Sequence, residues 1–367
     1  MKRICIVTAT RAEYGLLRWT IEALRAEPCL DAQLVVTGTH LSPAFGETWR
    51  QIEADGVRID RKIDYLSEDR SPAGIAREMG VCATRFAKAF SEMKPDLLLV
   101  LGDRYELLPI CSTALLLGIP IAHIAGGEHT EGALDERVRN AVTMMADLHF
   151  PNSAEAAAEI VRMRGSDRNI YNVGEPCVEN NLRIPLPSRE ELAETLGLDP
   201  GKDWILATLH PETLKSQEEN LSAARNLLEA LLERPGCEIV MSGANADPVG
   251  EEMNAIYRTC RDSRFHLFES LGQRNYLGVM NEALCVVGNS SSGVIETPRL
   301  GIPAINIGDR QKGRRLCANV ISCRSDLDSI RSALGKVGPR LDPDLSFGDG
   351  HTSGRIVQHI KDYFDER

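Results

Sequence analysis

Short apolar runs rich in β-branched residues recur along this chain. They fall at 4–8, 34–37, 96–101, 119–124, 148–150 and 170–173, and again at 204–209, 238–242, 265–268, 284–288 and 304–307. Between them apolar residues return at helical spacing, as Val138, Ala141, Val142 and Met145 do. Runs that are apolar on both faces mark strands covered from either side, and their alternation with amphipathic helices predicts parallel, doubly wound α/β sheets. Pro176, Pro185 and Pro187 interrupt the pattern, which places a boundary within 175–187, and Ser188 is the expected N-cap of the helix that follows. The pattern then repeats, so two Rossmann-like domains are expected. An N-terminal one spans 1–180 and a C-terminal one spans 181–350. The segment 351–367 holds a last helix, about 353–364, that is a candidate to pack back on the first domain.

Composition narrows the class. A chain of 367 residues exceeds one ordinary core and suits two. The net charge of -11 argues against a general nucleic-acid partner, which needs a basic surface. Aromatic residues are only 5% of the chain and form no stacking stripe for single strands. No apolar run approaches the roughly 20 residues of a membrane span, and residues 1–7 lead straight into a strand without a secretory signal. The ten cysteines include no Cys-x-x-Cys pair, and Cys5 and Cys285 sit in apolar runs. A reducing, cytoplasmic location is the expectation.

Chemistry-bearing residues concentrate where predicted strands end, the edge at which open α/β sheets bind ligands. The first strand ends in Thr-Ala-Thr-Arg-Ala-Glu-Tyr and opens a helix, so backbone N–H groups and Arg11 suit an anion. The strand 96–101 is followed by Gly-Asp-Arg-Tyr-Glu, which sets Asp103 and Arg104 at the sheet edge as a base and a phosphate ligand, or as a structural salt bridge. After 119–124 comes Ala-Gly-Gly-Glu-His-Thr-Glu-Gly-Ala-Leu-Asp, an acidic loop with Glu128 and Asp135, the latter where an N-cap belongs. In the second half His210 follows a strand, and Gly-Asn-Ser-Ser-Ser-Gly-Val-Ile-Glu offers Ser290 and Ser291 to phosphate oxygens, with Glu296 one turn into the next helix. Gly-Asp-Arg-Gln-Lys-Gly-Arg, from Gly308, reads as a basic loop closing over an anion. No His/Cys cluster has metal-ligand spacing, so no metal site is expected, and no Gly-x-Ser-x-Gly elbow appears.

Taken in order, Thr-Arg-Ala-Glu-Tyr, Gly-Asp-Arg-Tyr-Glu, His-Ile-Ala-Gly-Gly-Glu, Asp-Glu-Arg-Val-Arg, Gly-Asn-Ser-Ser-Ser-Gly-Val and Gly-Asp-Arg-Gln-Lys-Gly-Arg resemble the motifs of hydrolysing UDP-N-acetylglucosamine 2-epimerases, down to about residue 320. The resemblance implies a GT-B architecture with the site in the cleft between two Rossmann-like domains. It implies elimination of UDP from UDP-GlcNAc to a 2-acetamidoglucal, then hydration to free N-acetylmannosamine, without a cofactor. Matched to this chain, the acid and base groups are Asp103, Glu128 and Asp135, with the C2 proton assigned to none of them individually. Arg11, Arg104, His210, Asn245, Ser290, Ser291, Glu296 and Arg310 would hold the nucleotide, and Ser270 and Leu271 would frame the uracil. The segment between Glu128 and Asp135 is one residue longer than is usual in sialic-acid enzymes. It is similar to relatives that act on UDP-2,4-diacetamido-2,4,6-trideoxyglucose (UDP-N,N'-diacetylbacillosamine) in legionaminic-acid synthesis, and Ala125 replaces an acid found in some relatives. The same reaction on that sugar is therefore the alternative substrate reading, and a GT-B glycosyltransferase is the alternative of another class. The expected partners are a UDP-sugar and further copies of the chain, as a homodimer or homotetramer.

Overall fold

The computed structural model describes residues 1–69, 71–129, 134–212, 214–244 and 249–366. Two compact units are present, one made of 1–179 and 348–367, the other of 180–347. Each is built on a parallel six-stranded sheet.

In the first unit the strands are β1 (Lys2–Thr8), β2 (Leu30–Thr37), β3 (Arg61–Ile63), β4 (Leu97–Leu101), β5 (Ile121–Ile124) and β6 (Leu148–Phe150), in the spatial order β3-β2-β1-β4-β5-β6. The central strands are buried on both faces, as all of β4 and β5 are, because helices cover both sides. On one side Ile4, Leu17, Ile21, Leu99 and Phe150 meet Ile356, Val357 and Ile360 of the last helix, Thr352–Asp365. On the other, Val7, Phe86, Phe90, Val100, Ile110 and Val142 form a second core. The last helix thus completes the first unit, far in sequence from the strands it covers.

The second unit repeats this topology with β7 (Asp203–Thr208), β8 (Cys237–Ser242), β9 (Phe265–Phe268), β10 (Cys285–Gly288), β11 (Ala304–Ile307) and β12 (Val320–Cys323), ordered β12-β11-β10-β7-β8-β9. Ser188 caps the helix Arg189–Leu196 in a reciprocal capping box with Glu191, as its sequence predicts.

Two strand expectations are corrected. The run 170–173 is not a strand: Ile170 makes one isolated bridge to His149, after Asn169 turns the chain at φ +59°. The short strands β3 and β12 were not expected: β3 has a single apolar residue, Ile63, and β12 is four residues long with none fully buried. Among the described residues no helix is long and apolar enough to cross a membrane.

Candidate active site

The carboxyl edge of the first sheet is assembled around a histidine. His123, in β5, is fully buried, and its Nε2 lies 2.7 Å from the Gly102 carbonyl that follows β4. A carbonyl only accepts, so Nε2 carries the proton and Nδ1 accepts from the Thr143 hydroxyl at 3.2 Å. Burial holds the ring pKa down at about 4, so it is neutral and fixes the loops after β4 and β5 to one another.

Two glycines then turn the chain toward Glu128. A Cβ on Gly126 would stand 2.8 Å from Thr143 Oγ1 and 2.9 Å from His123 Nδ1. Gly127 has φ +83°, and a Cβ there would stand 2.2 Å from the Ala156 carbonyl oxygen. Only Gly-Gly passes through this gap.

Arg139, buried in the helix Leu134–Met145, is the centre of the acidic group. One terminal nitrogen is ion-paired with Asp103, and the other donates to the Glu128 carbonyl at 2.7 Å. Asp135 lies inside the first turn of this helix, which begins at Leu134, so it is not the cap its sequence position suggested. Desolvation by the surrounding protein raises its pKa, and the Asp103 carboxylate adds to the rise against Arg139 and Arg104. The Glu128 carboxylate accepts from Nδ2 of buried Asn152, which also donates to Glu175 Oε1 at 2.6 Å. Arg139, Asn152 and Glu175 were not singled out from sequence. Asn152 had the signal of a polar residue just past a strand, and Arg139 lies within one of the motifs.

Arg11 and Arg104 belong to the same unit. Arg11 is exposed at the start of the helix Arg11–Ala26. In the turn before it, expected from sequence to suit an anion, some of the backbone donors serve the helix itself. The N–H groups of Ala9 and Thr10 reach Glu13 Oε2 at 2.7 and 3.1 Å, and Thr10 Oγ1 accepts from the Glu13 N–H. Burial, with the Glu106 carboxylate nearby, pushes the Glu13 carboxyl up to about 8. Arg104 donates through Nε to buried Glu106 at 2.7 Å and lies 4.0 Å from Glu13. Its terminal nitrogens make no hydrogen bond among the described residues, and the side chain is 37% exposed.

In the second unit the organising residue is Asn289, just past β10. Its side chain accepts the His210 N–H at 2.7 Å and donates to the His210 carbonyl at 2.8 Å. Its own carbonyl receives Arg310 Nη1 at 3.2 Å and Gln311 Nε2 at 2.8 Å. One asparagine thereby ties together the loops after β7, β10 and β11. Gly288 permits this approach: at φ +139°, a Cβ would stand 1.8 Å from the Thr208 carbonyl.

Ser290 follows directly and borders a small depression with Thr208, Gly293 and Asn306. The helix expected after Ser291 is broken in two, Ser292–Ile295 and Thr297–Leu300, and Glu296 stands at the break rather than a turn inside. Burial pushes its carboxyl up to about 7. Ser270 accepts the Gly272 N–H at the start of the helix Gly272–Glu282, and Leu271 beside it is buried. Asn245 lies outside the described residues, as do 130–133 of the acidic loop. Asp103, Glu128 and Asp135 are therefore gathered on one unit, and His210, Ser290, Ser291, Glu296 and Arg310 line the strand ends of the other. Among the described residues no group of three or more His, Cys, Asp or Glu is placed to hold a metal.

The chain and its fold have counterparts. The family model described as UDP-N-acetylglucosamine 2-epimerase matches residues 22–361. The GDP/UDP-N,N'-diacetylbacillosamine 2-epimerase (hydrolyzing) of Campylobacter jejuni is 35% identical, over 92% of this chain and 87% of its own. The UDP-N,N'-diacetylbacillosamine 2-epimerase (hydrolyzing) of Legionella pneumophila is 29% identical, over 98% of this chain and 96% of its own. The crystal structure of UDP-GlcNAc 2-epimerase from Neisseria meningitidis bound to UDP-GlcNAc has the same fold, with a TM-score of 0.84 at 16% identity over 99% of this chain and 100% of that one. The two Rossmann-like sheets are thus those of the GT-B fold. With a family match over nearly its whole length, this chain belongs to the UDP-N-acetylglucosamine 2-epimerase family.

Proposed function

We propose that this protein is a hydrolysing 2-epimerase of a UDP-2-acetamido sugar. In the first step a carboxylate takes the C2 proton, that electron pair forms the C1=C2 bond, and UDP leaves with the C1–O pair. In the second, water adds its oxygen to C1 and gives up one proton to a carboxylate, while a carboxyl returns a proton to the opposite face of C2. The products are UDP and the free manno-configured sugar. The sequence is redox-neutral, so no redox cofactor is required.

The observation that supports this most is that Arg139 ion-pairs with Asp103 and holds the backbone of Glu128, while Asp135, on the same helix, feels both charges. Elimination needs a base and hydration needs a proton donor, and carboxyls in unlike environments suit the two tasks. Asp103 sits against a guanidinium, while Asp135 is biased toward its protonated form. A glycosyltransferase of the same fold has no use for such a group at C2. At the nucleotide end, Arg11, Arg104, His210, Ser290, Ser291 and Arg310 are proposed as donors to the diphosphate, Glu296 and Asn245 as partners of the nucleoside, and Ser270 and Leu271 as the frame of the base.

For the sugar, the names of the Campylobacter and Legionella relatives and the length of the 128–135 segment favour UDP-N,N'-diacetylbacillosamine. UDP-GlcNAc is the second reading, favoured by the family description. The test is to offer UDP-GlcNAc and the UDP- and GDP-linked diacetamido sugars separately and compare kcat/KM for nucleotide release. A preference for the diacetamido sugar is expected, and a preference for UDP-GlcNAc reverses the assignment.

Self-association as a homodimer or homotetramer is also proposed. The helix Leu107–Leu116 ends in an apolar edge where Leu116 is 87% exposed, between Leu115 and Leu117, which are also exposed. Leu116→Arg is expected to shift the sedimentation coefficient toward the monomer, and an unchanged coefficient assigns the interface elsewhere.

A further inference from the structure

Glu128 hangs from the Gly126-Gly127 turn, whose backbone has more freedom than any other residue pair provides, yet a reacting carboxylate must be held to a fraction of an ångström. The structure supplies a brace. Asn152, 3% exposed just past β6, has two amide hydrogens, and Nδ2 directs them to two carboxylates, those of Glu128 and Glu175. Reversing the amide would set its oxygen against both acids, so the carboxylates also fix which way Asn152 faces.

Glu175 is itself anchored. It is 8% exposed and lies in Gly174-Glu175-Pro176, where the chain leaves the first unit. Thr352 Oγ1 donates to the Val173 carbonyl at 3.1 Å. Glu179 accepts from the Ser353 N–H at 2.8 Å and its hydroxyl at 2.6 Å. A Cβ on Gly348 would stand 3.1 Å from the Gly174 Cα, so the returning chain lies directly against this segment. The start of the last helix therefore clamps the backbone from which Glu175 projects.

We propose that Glu175, acting through Asn152, is a positioning residue that holds the Glu128 carboxylate for reaction. The proposal rests on Glu128 being one of the reacting acids. Glu175 does not touch substrate in this scheme, and it binds and releases no proton. Its charge strengthens the hydrogen bond that orients Asn152, and Asn152 orients Glu128.

The test is steady-state kinetics on wild type, Glu128→Gln, Glu175→Ala, Glu175→Gln, Asn152→Ala and the double variant Glu128→Gln/Glu175→Ala. Glu175→Ala and Asn152→Ala are expected to lower kcat by roughly 10- to 100-fold, the scale of a misplaced catalytic group, with KM within about twofold of wild type. Glu175→Gln keeps an acceptor for Asn152 and should recover most of kcat. The decisive readout is the double variant. If Glu175 acts through Glu128, its loss costs nothing further once Glu128→Gln has been made.

Additive losses, or a wild-type kcat for soluble Glu175→Ala, overturn the positioning role while leaving the assignment of Glu128 intact. A Glu128→Gln enzyme with wild-type kcat overturns the assignment of Glu128 and the proposal with it. If Glu175→Ala does not fold, Asn152→Ala and its double variant with Glu128→Gln decide the matter in the same way.

Discussion

Arg139 is buried on the helix Leu134–Met145 and ion-paired with Asp103 just beyond β4, two residues 36 positions apart. The pair is lopsided: the arginine side chain is 4% exposed and the aspartate 28%. Removing Arg139 would leave the Glu128 carbonyl without this donor and Asp103 without its counter-charge. Arg139→Met is expected to destabilise the fold by about 3 kcal/mol, the lower end for breaking a buried pair because Asp103 reaches solvent. Urea unfolding at 25 °C checks this, and a loss below about 1 kcal/mol would mean that solvent already screens the pair.

Two glycines separate strain from collision. Gly102 and Gly127 have nearly the same backbone angle, φ +84° and +83°, but a Cβ on Gly102 meets nothing within 4 Å while one on Gly127 meets the Ala156 carbonyl at 2.2 Å. Gly102→Ala should cost only the left-handed penalty of roughly 1–2 kcal/mol. Gly127→Ala must also displace backbone, and should cost more than that while depressing kcat through Glu128. Equal losses in the two variants would contradict the packing described.

His149 bears on stability at acid pH. It is fully buried, neither ring nitrogen has a hydrogen bond of ordinary geometry among the described residues, and burial, with Arg164 and His123 nearby, holds its pKa down at about 3. The unfolded chain binds this proton near pH 6.5 and the folded chain does not, so stability falls as pH drops below about 6.5 and levels off near 3. Between pH 7 and 5 this one histidine should cost about 2 kcal/mol. Replacing it with Leu should remove that increment, and an unchanged pH 7-to-5 difference would contradict its burial as a neutral ring. Glu13 has the opposite sign. Its folded pKa of about 8 lies above the unfolded value, so its contribution is complete below about 4.5 and is lost as pH rises toward 8. Glu13→Gln should flatten that decline between about pH 4.5 and 8.

Asn289 joins His210 and Arg310 without needing to touch a ligand. Asn289→Ala removes both hydrogen bonds to the His210 backbone and loosens that loop. A stability loss of about 2 kcal/mol and a roughly 10-fold weaker UDP affinity by titration calorimetry are expected, from two buried hydrogen bonds and a less preorganised site. Unchanged UDP affinity would detach this hub from nucleotide binding.

The sheet interiors were legible because β1, β4, β5, β7 and β10 are apolar on both faces, and that pattern is written locally. The edge strand Arg61–Ile63 was not, since one flank is open and it tolerates Arg61 and Lys62. The same difference separates the site residues. Asp103, Glu128 and Ser290 stand at strand ends and carry their own signal. The use of the Ala9 and Thr10 donors by Glu13 was hidden, because Glu13 reads equally well as an ordinary helix residue until its carboxylate is seen closing on them. Glu175 was hidden more deeply. Its segment reads as a linker, and its meeting with Asn152 depends on the fold bringing residues 23 positions apart together.

In the proposed reaction the carboxyls of Asp103, Glu128 and Asp135 remove and return the proton at C2 while UDP leaves and water adds at C1. The most direct measurement is NMR of the reaction in deuterated water with UDP-N,N'-diacetylbacillosamine and, separately, UDP-GlcNAc. The account predicts UDP and a free manno-configured sugar carrying deuterium at C2, with product formation abolished in Asp103→Asn. A product still linked to UDP, or a free sugar that retains its original hydrogen and configuration at C2, would contradict it.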